Sequence, residues 1–487
     1  MTQQEFINRI TLTFGHAPTP GQENALRIFA RFLADRRPNA AMILRGSAGT
    51  GKTSLVSAMV RTLASLRQHI TLLAPTGRAA KVLATASKMP AYTIHRRIYR
   101  EKAYTGIDGS YNLAENRNQN MLFVVDEASM ISSLPTEASS FGSGSLLDDL
   151  IKYVYNGNNC RLLLTGDSAQ LPPVGEDEAP ALSAGVIEAY GLVVYQCDLN
   201  DVLRQSSTSG ILYNATVIRS MITHDDITGL PKIRFKPFPD VISCPGNELI
   251  ERLSDSYSEV GEDNTIVVTR SNKTANIYND GIRRAVLDRE DAISGGDLLM
   301  IVKNNYSVEA PDSGDAADGT RKGKDNSFFL ANGDRCTVIR AHNFTDLYGF
   351  HFADATLRFP DYNDYEIEAT ILLDTLTSQS PSLTHEQQEQ LYNNVMDDYA
   401  DIPLKGDRIK AIKKDKYFNA LQVKFAYAVT CHKAQGGQWA HVYIDQGFMT
   451  DDMLTPDYIH WLYTAFTRAT EKLYLINWPQ TQTEDEE

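Results

Sequence analysis

Short apolar runs alternate with amphipathic segments along the first third of the chain. Apolar side chains at helical spacing, from Ala25 through Leu33, predict a helix over 22–36. A short run at Ala41–Leu44 enters a glycine-rich segment, after which Thr53–Leu66 again has a helical pattern. Three more strand-like runs follow, at Ile70–Ala74, Met121–Val125 and Arg161–Thr165. Continuously apolar strands that alternate with helices are typical of a parallel α/β sheet covered on both faces.

The same alternation begins again near Thr265. The run Ile266–Thr269 leads into an amphipathic stretch that ends at Leu287. The pattern resumes at Val423 and ends with the strand-like run Lys472–Ile476. The chain is therefore expected to contain two α/β series, the second of them interrupted by an insertion.

The two interruptions differ in composition. Runs at Cys336–Arg340 and Glu366–Leu373 indicate a small β-rich module inside the second series. Residues 309–326 contain no large apolar side chain, which predicts a mobile loop. A polar stretch, Arg96–Asn120, interrupts the first series and indicates a smaller insertion.

The charge is unevenly distributed along the chain. Its 487 residues include 61 acidic and 47 basic side chains, giving a net charge of −14. No Lys or Arg occurs between Phe359 and Leu404, and the last four residues, 484–487, are all acidic. The acids of that interval are Asp361, Asp364, Glu366, Glu368, Asp374, Glu386, Glu389, Asp397, Asp398 and Asp401. These two segments account for the whole acidic excess, so the net charge does not exclude a nucleic-acid partner.

The sequence also bears on the cellular compartment. No run approaches the ~20 apolar residues that a membrane-spanning helix needs. The five cysteines are scattered, without the spacing of a zinc or iron–sulfur site, as is usual in a reducing compartment. We therefore expect a cytoplasmic protein with no membrane partner.

A phosphate-binding pattern lies between a predicted strand and a predicted helix. It has the form GxxxxGK[ST] and comprises Gly46, Ser47, Ala48, Gly49, Thr50, Gly51, Lys52 and Thr53. Its glycines allow backbone N–H groups to surround phosphate oxygens at the positive end of the following helix. Lys52 is expected to reach the β- and γ-phosphates of ATP, and the Thr53 hydroxyl to bind Mg²⁺.

Polar residues follow two further predicted strands. Asp126 and Glu127 end an apolar run downstream of the phosphate-binding loop. Asp126 is expected to hold Mg²⁺, and Glu127 to orient or deprotonate the attacking water. Gln170 follows the run Arg161–Thr165 and is a candidate sensor of the γ-phosphate, because ligands bind at the carboxyl ends of parallel strands.

These motifs and several others, in the same order, resemble those of the superfamily 1 helicases. The likeness is to the 5′-to-3′ subgroup that contains the RecD-like and phage Dda-like enzymes, and it extends from Gln22 to about Ile476. Beyond the phosphate-binding loop, the matching segments are Gln22, Ala74–Ala80, Thr93–His95, Asp126–Glu127, Gly166–Pro172, Leu199–Gln205, Val429–Gly436 and Leu462–Ala469. The resemblance implies that Gln22 reads adenine and that Arg204 and Arg468 approach the γ-phosphate.

The resemblance also implies a track for nucleic acid. The residues expected on it are Pro75, Thr76, Arg78, His95, Thr430, His432 and Lys433. The insertion over 96–120 matches the position of the family's strand-splitting pin, and its basic and aromatic residues suit that role. A solvated loop is the alternative interpretation. The stretch Leu383–Leu404, rich in Gln, Asp and Asn, departs from the family pattern.

The expected fold class is α/β, with two RecA-like domains and a small SH3-like β-rich domain inserted in the second. The first RecA-like domain is expected over 1–200, with the pin domain at about 96–120. The second is expected over 201–297 and 423–480, the inserted domain over 298–422, and an acidic tail over 481–487. A protein partner is expected to bind the inserted domain or this tail.

The leading hypothesis is a monomeric, ATP- and Mg²⁺-dependent DNA helicase. It would translocate 5′ to 3′ on single strands, unwind duplex at junctions and serve DNA repair or recombination. One alternative is an RNA helicase of the related Upf-like branch. Another is a P-loop phosphotransferase or ATPase that does not translocate, which leaves Val429–Gly436 and Leu462–Ala469 unexplained.

Overall fold

The computed structural model describes residues 1–104, 109–135, 141–201, 209–224, 229–309, 327–362 and 364–484. The chain divides into two compact units. Unit 1 comprises Met1–Lys102, Ser110–Arg270 and Thr430–Glu487, and unit 2 comprises Ala103–Gly109 and Ser271–Val429. Within the described ranges, no helix has the length and apolar character needed to cross a membrane.

The chain begins with two helices, α1 (Gln3–Phe14) and α2 (Pro20–Ala34). Each starts at a threonine capping box, Thr2 with Glu5 and Thr19 with Gln22, which satisfies amide groups of the first turn. The next elements are β1 (Ala40–Gly46), α3 (Lys52–Ser65), β2 (His69–Ala74), α4 (Gly77–Ser87), β3 (Ala91–Thr93), α5 (Ile94–Ile98), β4 (Tyr99–Tyr104), β5 (Gly109–Leu113), β6 (Met121–Val125), α6 (Leu146–Tyr155), β7 (Arg161–Gly166), α7 (Ala184–Ala189) and β8 (Val193–Leu199).

Six of these strands form a parallel sheet in the order β3-β2-β6-β7-β1-β8. Successive residues of β1 enter different cores, Met42 and Leu44 on one face and Ala41 and Ile43 on the other. Helices cover both faces, which explains why the strands are apolar throughout. Strands β4 and β5 form a separate two-stranded sheet inside the insertion predicted over 96–120.

The remaining elements follow in chain order. They are α8 (Gly210–Thr223), β9 (Val241–Cys244), α9 (Leu249–Val260), β10 (Thr265–Thr269), α10 (Asn272–Ala285), β11 (Leu298–Ile301), β12 (Asn305–Glu309), β13 (Ser327–Leu330), β14 (Arg335–Leu347), β15 (Phe350–Phe359), β16 (Tyr365–Leu372), α11 (Asp374–Thr377), α12 (His385–Asp398), α13 (Lys405–Ile412), β17 (Leu421–Phe425), β18 (Ala428–Thr430), α14 (Cys431–Ala434), β19 (Trp439–Asp445), α15 (Pro456–Phe466) and β20 (Ala469–Ile476). Short 3₁₀ helices occur at Ala128–Met130, Pro180–Leu182, Glu262–Asn264, Pro360–Tyr362, Asp451–Met453 and Gln480–Gln482.

Unit 1 also contains a second parallel sheet. Strands β10, β19, β20 and β9 lie side by side in that order, and β18 completes the sheet where the chain returns to unit 1 at Thr430. The predicted runs Ile266–Thr269 and Lys472–Ile476 lie in two of these strands. Each of the two predicted α/β series therefore forms its own sheet.

Unit 2 contains the predicted β-rich module. Strands β11, β14, β15, β16 and β17 close a small barrel, and β12 pairs with β13 in a separate ribbon. Helices α12 and α13, inserted between β16 and β17, pack on the barrel through a cluster that includes Phe352, Leu391 and Ile412. The loop predicted over 309–326 lies outside the described residues except for Glu309, which ends β12.

The predicted fold class is confirmed: two RecA-like parallel sheets with flanking helices, and a small β-barrel inserted in the second series. The predicted domain boundaries stay a prediction, because the division into compact units places both sheets in unit 1.

Candidate functional site

The phosphate-binding loop connects β1 to α3 in a wrapped conformation. Gly49 and Gly51 have φ angles of +79° and +74°, in the left-handed region that favours glycine. The Thr50 hydroxyl donates a 2.8 Å hydrogen bond to the Ser47 carbonyl, which closes the loop on itself. Helix α3 begins at Lys52, so its unpaired amide groups lie where phosphate oxygens would bind.

Gln22 supports this loop from helix α2. Its side-chain nitrogen donates a 2.9 Å hydrogen bond to the Thr50 carbonyl, and its side-chain oxygen accepts from the Thr19 amide at 3.1 Å. The residue is 1% exposed. Both ends of the amide therefore bind protein groups, and the adenine-reading role of Gln22 stays a prediction.

The two acidic candidates lie at the end of β6, beside β7 and one strand from β1. Asp126 is buried and accepts a 3.1 Å hydrogen bond from the Thr165 hydroxyl. Burial raises the pKa of Asp126, while the charge of Lys52 acts in the opposite direction and that of Glu127 adds to the rise. The phosphate-binding lysine and the candidate magnesium ligand are therefore close enough to couple electrostatically.

Several buried polar atoms at these strand ends lack a protein partner within the described residues. They are Glu127 Oε2, Gln170 Oε1 and Ser47 Oγ. Glu127 also has a φ of +53°, which is uncommon for a residue with a side chain and is found preferentially at functional sites. Since unpaired buried oxygens are costly, these atoms fit a site that binds a polar group such as a nucleotide with its metal ion.

Residues on and next to the helices α14 and α15, which flank the second sheet, contact this site directly. The Tyr463 hydroxyl donates to Asp167 Oδ2 at 2.6 Å and accepts from the Ala48 amide at 3.1 Å. Beside it on α15, Thr464 Oγ1 accepts from the Leu171 amide at 2.7 Å. Gln435 Nε2 completes the contact by donating to the Leu171 carbonyl at 2.7 Å.

Sequence reasoning quoted these residues as parts of motifs but gave them no role. Tyr463 and Thr464 lie in the last turn of α15, five and four residues before Arg468, which follows the end of the helix. Their place inside the matching segment Leu462–Ala469 was the signal that the sequence offered. The identity of their partners, hundreds of residues away in the sequence, was not readable from it.

Arg204 and Arg468 are the two arginines expected to approach the γ-phosphate. Arg204 lies outside the described residues. Arg468 is buried, and its guanidinium donates to the Thr464 carbonyl at 2.9 Å, the Gly437 carbonyl at 3.1 Å and the Thr467 hydroxyl at 3.0 Å. In this arrangement it links α15 to the loop before β19, and its role toward the γ-phosphate stays a prediction.

The chain segments that carry the candidate nucleic-acid residues meet at the start of α4. Thr76 caps this helix by accepting from the Ala79 amide at 3.2 Å. Arg78 donates to the Gln438 carbonyl at 2.9 Å, and its guanidinium carbon lies 4.1 Å from the centre of the Trp439 ring. The segment that contains Pro75 is thereby joined to the segment that follows Lys433.

The second half of this track lies around the short helix α14. Thr430 precedes its first residue, His432 is exposed, and Lys433 is half-buried. Burial lowers the pKa of Lys433 to about 8. An ammonium group with this pKa is still mostly charged at neutral pH and can bind a phosphate.

His95 belongs to an aromatic cluster at the base of the β4–β5 ribbon. Its ring centre lies 5.1 Å from Phe141 and 5.6 Å from Tyr99, and Phe141 stacks on Tyr111 at 4.7 Å. Burial lowers the pKa of His95 to about 4, so the imidazole is neutral at pH 7. It can contribute a hydrogen bond or stacking to a nucleic acid, but no charge.

Two family models match the chain. One, described as an AAA domain, matches residues 32–176, and another, described as a UvrD-like helicase C-terminal domain, matches residues 425–476. The first covers the phosphate-binding loop and the ends of β6 and β7, and the second covers α14, β19, α15 and β20.

Similar curated proteins include two helicases. The ATP-dependent RecD2 DNA helicase of Deinococcus radiodurans is 33% identical over 27% of this chain and 16% of its own length. The ATP-dependent DNA helicase dda of Enterobacteria phage T4 is 28% identical over 42% of each chain. An uncharacterized protein, R530, of Acanthamoeba polyphaga mimivirus is 23% identical over 88% of this chain and 94% of its own.

Among solved structures, a similar one is a Pif1 helicase from Bacteroides in complex with ADP-AlF3 and single-stranded DNA. The match covers 97% of this chain and 95% of that chain, with 14% identity and a TM-score of 0.47.

The chain spans less than half the length of the two helicase relatives that it matches. The resemblance to superfamily 1 helicases of the 5′-to-3′ type is confirmed by the family models and the two helicase relatives.

Proposed function

We propose that this chain is an ATP-dependent DNA helicase that translocates 5′ to 3′ on single-stranded DNA and unwinds duplex. The observation that carries the proposal is the contact of Tyr463 and Thr464, on α15 beside the second sheet, with Ala48 and Leu171, in loops that follow β1 and β7 of the first. A nucleotide at the phosphate-binding loop would touch both sheets, so its hydrolysis could move one relative to the other.

The buried oxygens without partners support Mg²⁺ and ATP as the bound groups. Thr53 and Asp126 would hold the ion, which would neutralise charge on the phosphates. Lys52 would bind the terminal phosphates, and Glu127, held in its unusual backbone conformation, would orient the attacking water. Gln170, whose buried Oε1 lacks a protein partner within the described residues, would approach the γ-phosphate.

The second part of the proposal is a DNA track. Thr76 and Arg78 on one sheet and Thr430, His432 and Lys433 on the other form neighbouring segments, joined through Gln438 and Trp439. Such a track would grip the strand from both sheets, and a nucleotide-driven movement between them would become stepping. The preference for DNA is supported by the two relatives that are DNA helicases, RecD2 and dda. The 5′-to-3′ direction is supported by the subgroup that the motifs of this chain resemble.

The test is strand displacement on duplexes that carry a 5′ tail, a 3′ tail or none. We expect unwinding of the 5′-tailed duplex alone, its loss in Lys52→Ala and its retention in Lys152→Ala, an exposed lysine on α6. Unwinding that survives Lys52→Ala would contradict the mechanism, and a requirement for a 3′ tail would contradict the direction.

The choice between DNA and RNA needs a separate measurement. We expect ATPase activity to be stimulated by poly(dT) and much less by poly(U). Equal or stronger stimulation by poly(U) would favour the Upf-like alternative. ATPase activity that neither polymer stimulates would favour a P-loop enzyme that does not translocate.

A further inference from the structure

The hydroxyl of Tyr463 lies between the phosphate-binding loop and the loop after β7. It accepts a 3.1 Å hydrogen bond from the Ala48 amide and donates a 2.6 Å bond to Asp167 Oδ2. The side chain is 1% exposed, so both hydrogen bonds are shielded from solvent. Tyr463 therefore ties an amide of the phosphate-binding loop to a carboxylate of the neighbouring loop.

The direction of these two bonds is fixed by the charge of Asp167. Burial and the Asp167 carboxylate raise the pKa of Tyr463 well above its usual value, so the phenol keeps its proton. That single proton is donated to Asp167. Toward Ala48 the phenol oxygen can only accept, in the manner of a phosphate oxygen but without a phosphate's charge.

The Ala48 amide has one hydrogen and can serve only one of these acceptors well. A phosphate oxygen is the stronger acceptor, because hydrogen bonds to ionised groups are roughly twice as strong as neutral ones. A nucleotide whose phosphate reached Ala48 would therefore displace the phenol oxygen. The bond from Tyr463 to Asp167 could persist through this exchange.

We propose that Tyr463 is a positioning residue that couples nucleotide binding to the contact between the two sheets. Its hydroxyl holds the Ala48 amide until a phosphate takes that amide over, and the exchange releases α15 from the phosphate-binding loop. This inference rests on the proposed binding of ATP at Gly46–Thr53.

The neighbouring contacts show why Tyr463 is singled out. Thr464, Gln435 and His460 bind Leu171 and Ala169, which belong to the loop after β7. Among the described hydrogen bonds from α14 or α15 to the first sheet, the bond from Ala48 to Tyr463 is the one that uses an amide of the phosphate-binding loop. A phosphate would compete with this bond and leave the others in place.

The first experiment compares Tyr463→Phe with the matched control Tyr458→Phe. Tyr458 is also buried on α15, but its hydroxyl donates to Gln446 Oε1 at 2.6 Å, away from the phosphate-binding loop. Binding of a non-hydrolysable ATP analogue to the full chain is titrated, with Lys52→Ala as the reference for lost binding. We expect Tyr463→Phe to bind the analogue about 2- to 10-fold more tightly, the range of one net hydrogen bond.

The second measurement is turnover with and without poly(dT). We expect Tyr463→Phe to lower KM for ATP and also to lower kcat with poly(dT), because nucleotide binding no longer changes the contact between the sheets. Tyr458→Phe is expected to change neither value. If Tyr463 only stabilised the fold, Tyr463→Phe would raise KM for ATP or leave it unchanged.

A third measurement remains valid if Tyr463→Phe does not fold. A 3-fluorotyrosine installed only at position 463 is observed by ¹⁹F NMR, and its resonance is expected to shift when the ATP analogue is added. The same label at position 458 is expected not to shift. If the resonance at position 463 keeps its chemical shift when the analogue is added, the inference is overturned.

The outcomes separate this inference from the proposed function. If the wild-type chain binds no more analogue than Lys52→Ala, the proposed function fails, and the inference fails with it. If the wild type binds but Tyr463→Phe binds equally or more weakly, or if Tyr458→Phe binds as tightly as Tyr463→Phe, the inference alone fails.

Discussion

The side-chain amide of Gln22 donates a 2.9 Å hydrogen bond to the backbone carbonyl of Thr50, which ties helix α2 to the phosphate-binding loop. The bond is buried, and the other end of the same amide completes the capping box with Thr19. Gln22 is therefore in a position to act on nucleotides through the loop that holds their phosphates.

We predict that Gln22→Met weakens ATP and GTP binding by the same factor, roughly tenfold, because it leaves the Thr50 carbonyl without a donor. Both affinities can be measured by competition against a fluorescent nucleotide. Gln446→Met, at another buried glutamine, is the control and is expected to change neither affinity. A loss confined to ATP would instead assign Gln22 to reading adenine.

The hydrogen bond from Thr165 to Asp126 predicts a change in the pH profile. Thr165→Val keeps the shape of the side chain but removes a donor to the carboxylate, which raises the pKa of Asp126 further. If the charged carboxylate is needed, kcat of the ATPase falls and the acid limb of its pH profile moves to higher pH. Thr265→Val, at a buried strand threonine that donates to the Gly261 carbonyl, is expected to move neither. An unchanged acid limb in Thr165→Val would contradict the role of Asp126.

Lys433 predicts a pH dependence of DNA binding. Its pKa, lowered to about 8 by burial, means that the ammonium charge is present below pH 8 and is lost above it. We expect the affinity for poly(dT) to fall between pH 7 and pH 9 in the wild type. The fall is expected to be smaller in Lys433→Arg, because an arginine keeps its charge over this range. Equal losses in both proteins, measured by fluorescence anisotropy, would remove Lys433 from the track.

His441 predicts a pH dependence of stability. The histidine is fully buried, and its Nδ1 lies 2.9 Å from Ser256 Oγ, whose hydroxyl is 2.6 Å from that of Tyr443. Burial and the nearby charge of Lys472 lower its pKa, against the opposing influence of Glu259 and Glu471. The native state thus holds the neutral imidazole, while the unfolded chain takes up a proton at about pH 6.5.

The stability that His441 contributes is therefore present above pH 6.5 and is lost as the pH falls below that value. We expect His441→Gln to reduce the loss of unfolding free energy between pH 7.5 and pH 5.5, measured by urea denaturation. His224→Gln, at an exposed histidine after α8, serves as the control. A pH dependence that is the same in His441→Gln as in the wild type would contradict this assignment.

The acidic stretch between Phe359 and Leu404 is predicted to make no contribution to the binding of single-stranded DNA. Asp374 accepts a 2.7 Å hydrogen bond from the His351 amide, and Asp398 accepts one from the Tyr348 hydroxyl. Both aspartates therefore stay unchanged in the variant that tests this prediction. Replacing the other eight acids of the stretch by Asn and Gln is expected to leave single-strand affinity unchanged within about twofold at 0.15 M salt, where the screening length is ~8 Å. Weaker binding would mean that the stretch lies on the DNA path.

The buried strands of the first sheet and the phosphate-binding loop could be predicted from short patterns in the sequence. The runs at Ala41–Leu44, Met121–Val125 and Arg161–Thr165 all lie in strands of one sheet, because continuous apolar character reports burial on both faces. The phosphate-binding loop was predictable for a similar reason, since its glycines are required by the backbone itself.

Features that depend on distant partners were not predictable from the sequence. The bond from Ala48 to Tyr463 joins residues 415 positions apart, and no periodicity reports such a pair. The three hydrogen bonds of Arg468 and the packing of α12 on the barrel likewise arise only from tertiary structure. The edge strand β8 escaped notice because several of its residues are only partly buried and its pattern is mixed.

Gly436 shows how the two sheets could move while staying joined. Its φ is +71°, and a Cβ placed on it would lie 3.0 Å from the Cβ of Ala79 and 3.4 Å from Oγ1 of Thr76. The backbone of Gly436 thus rests on the side chains of Thr76 and Ala79, with no side chain of its own between them. If the two sheets move as proposed, a movement that preserved this contact would be a rotation about it rather than a separation, with Gly436 as its pivot.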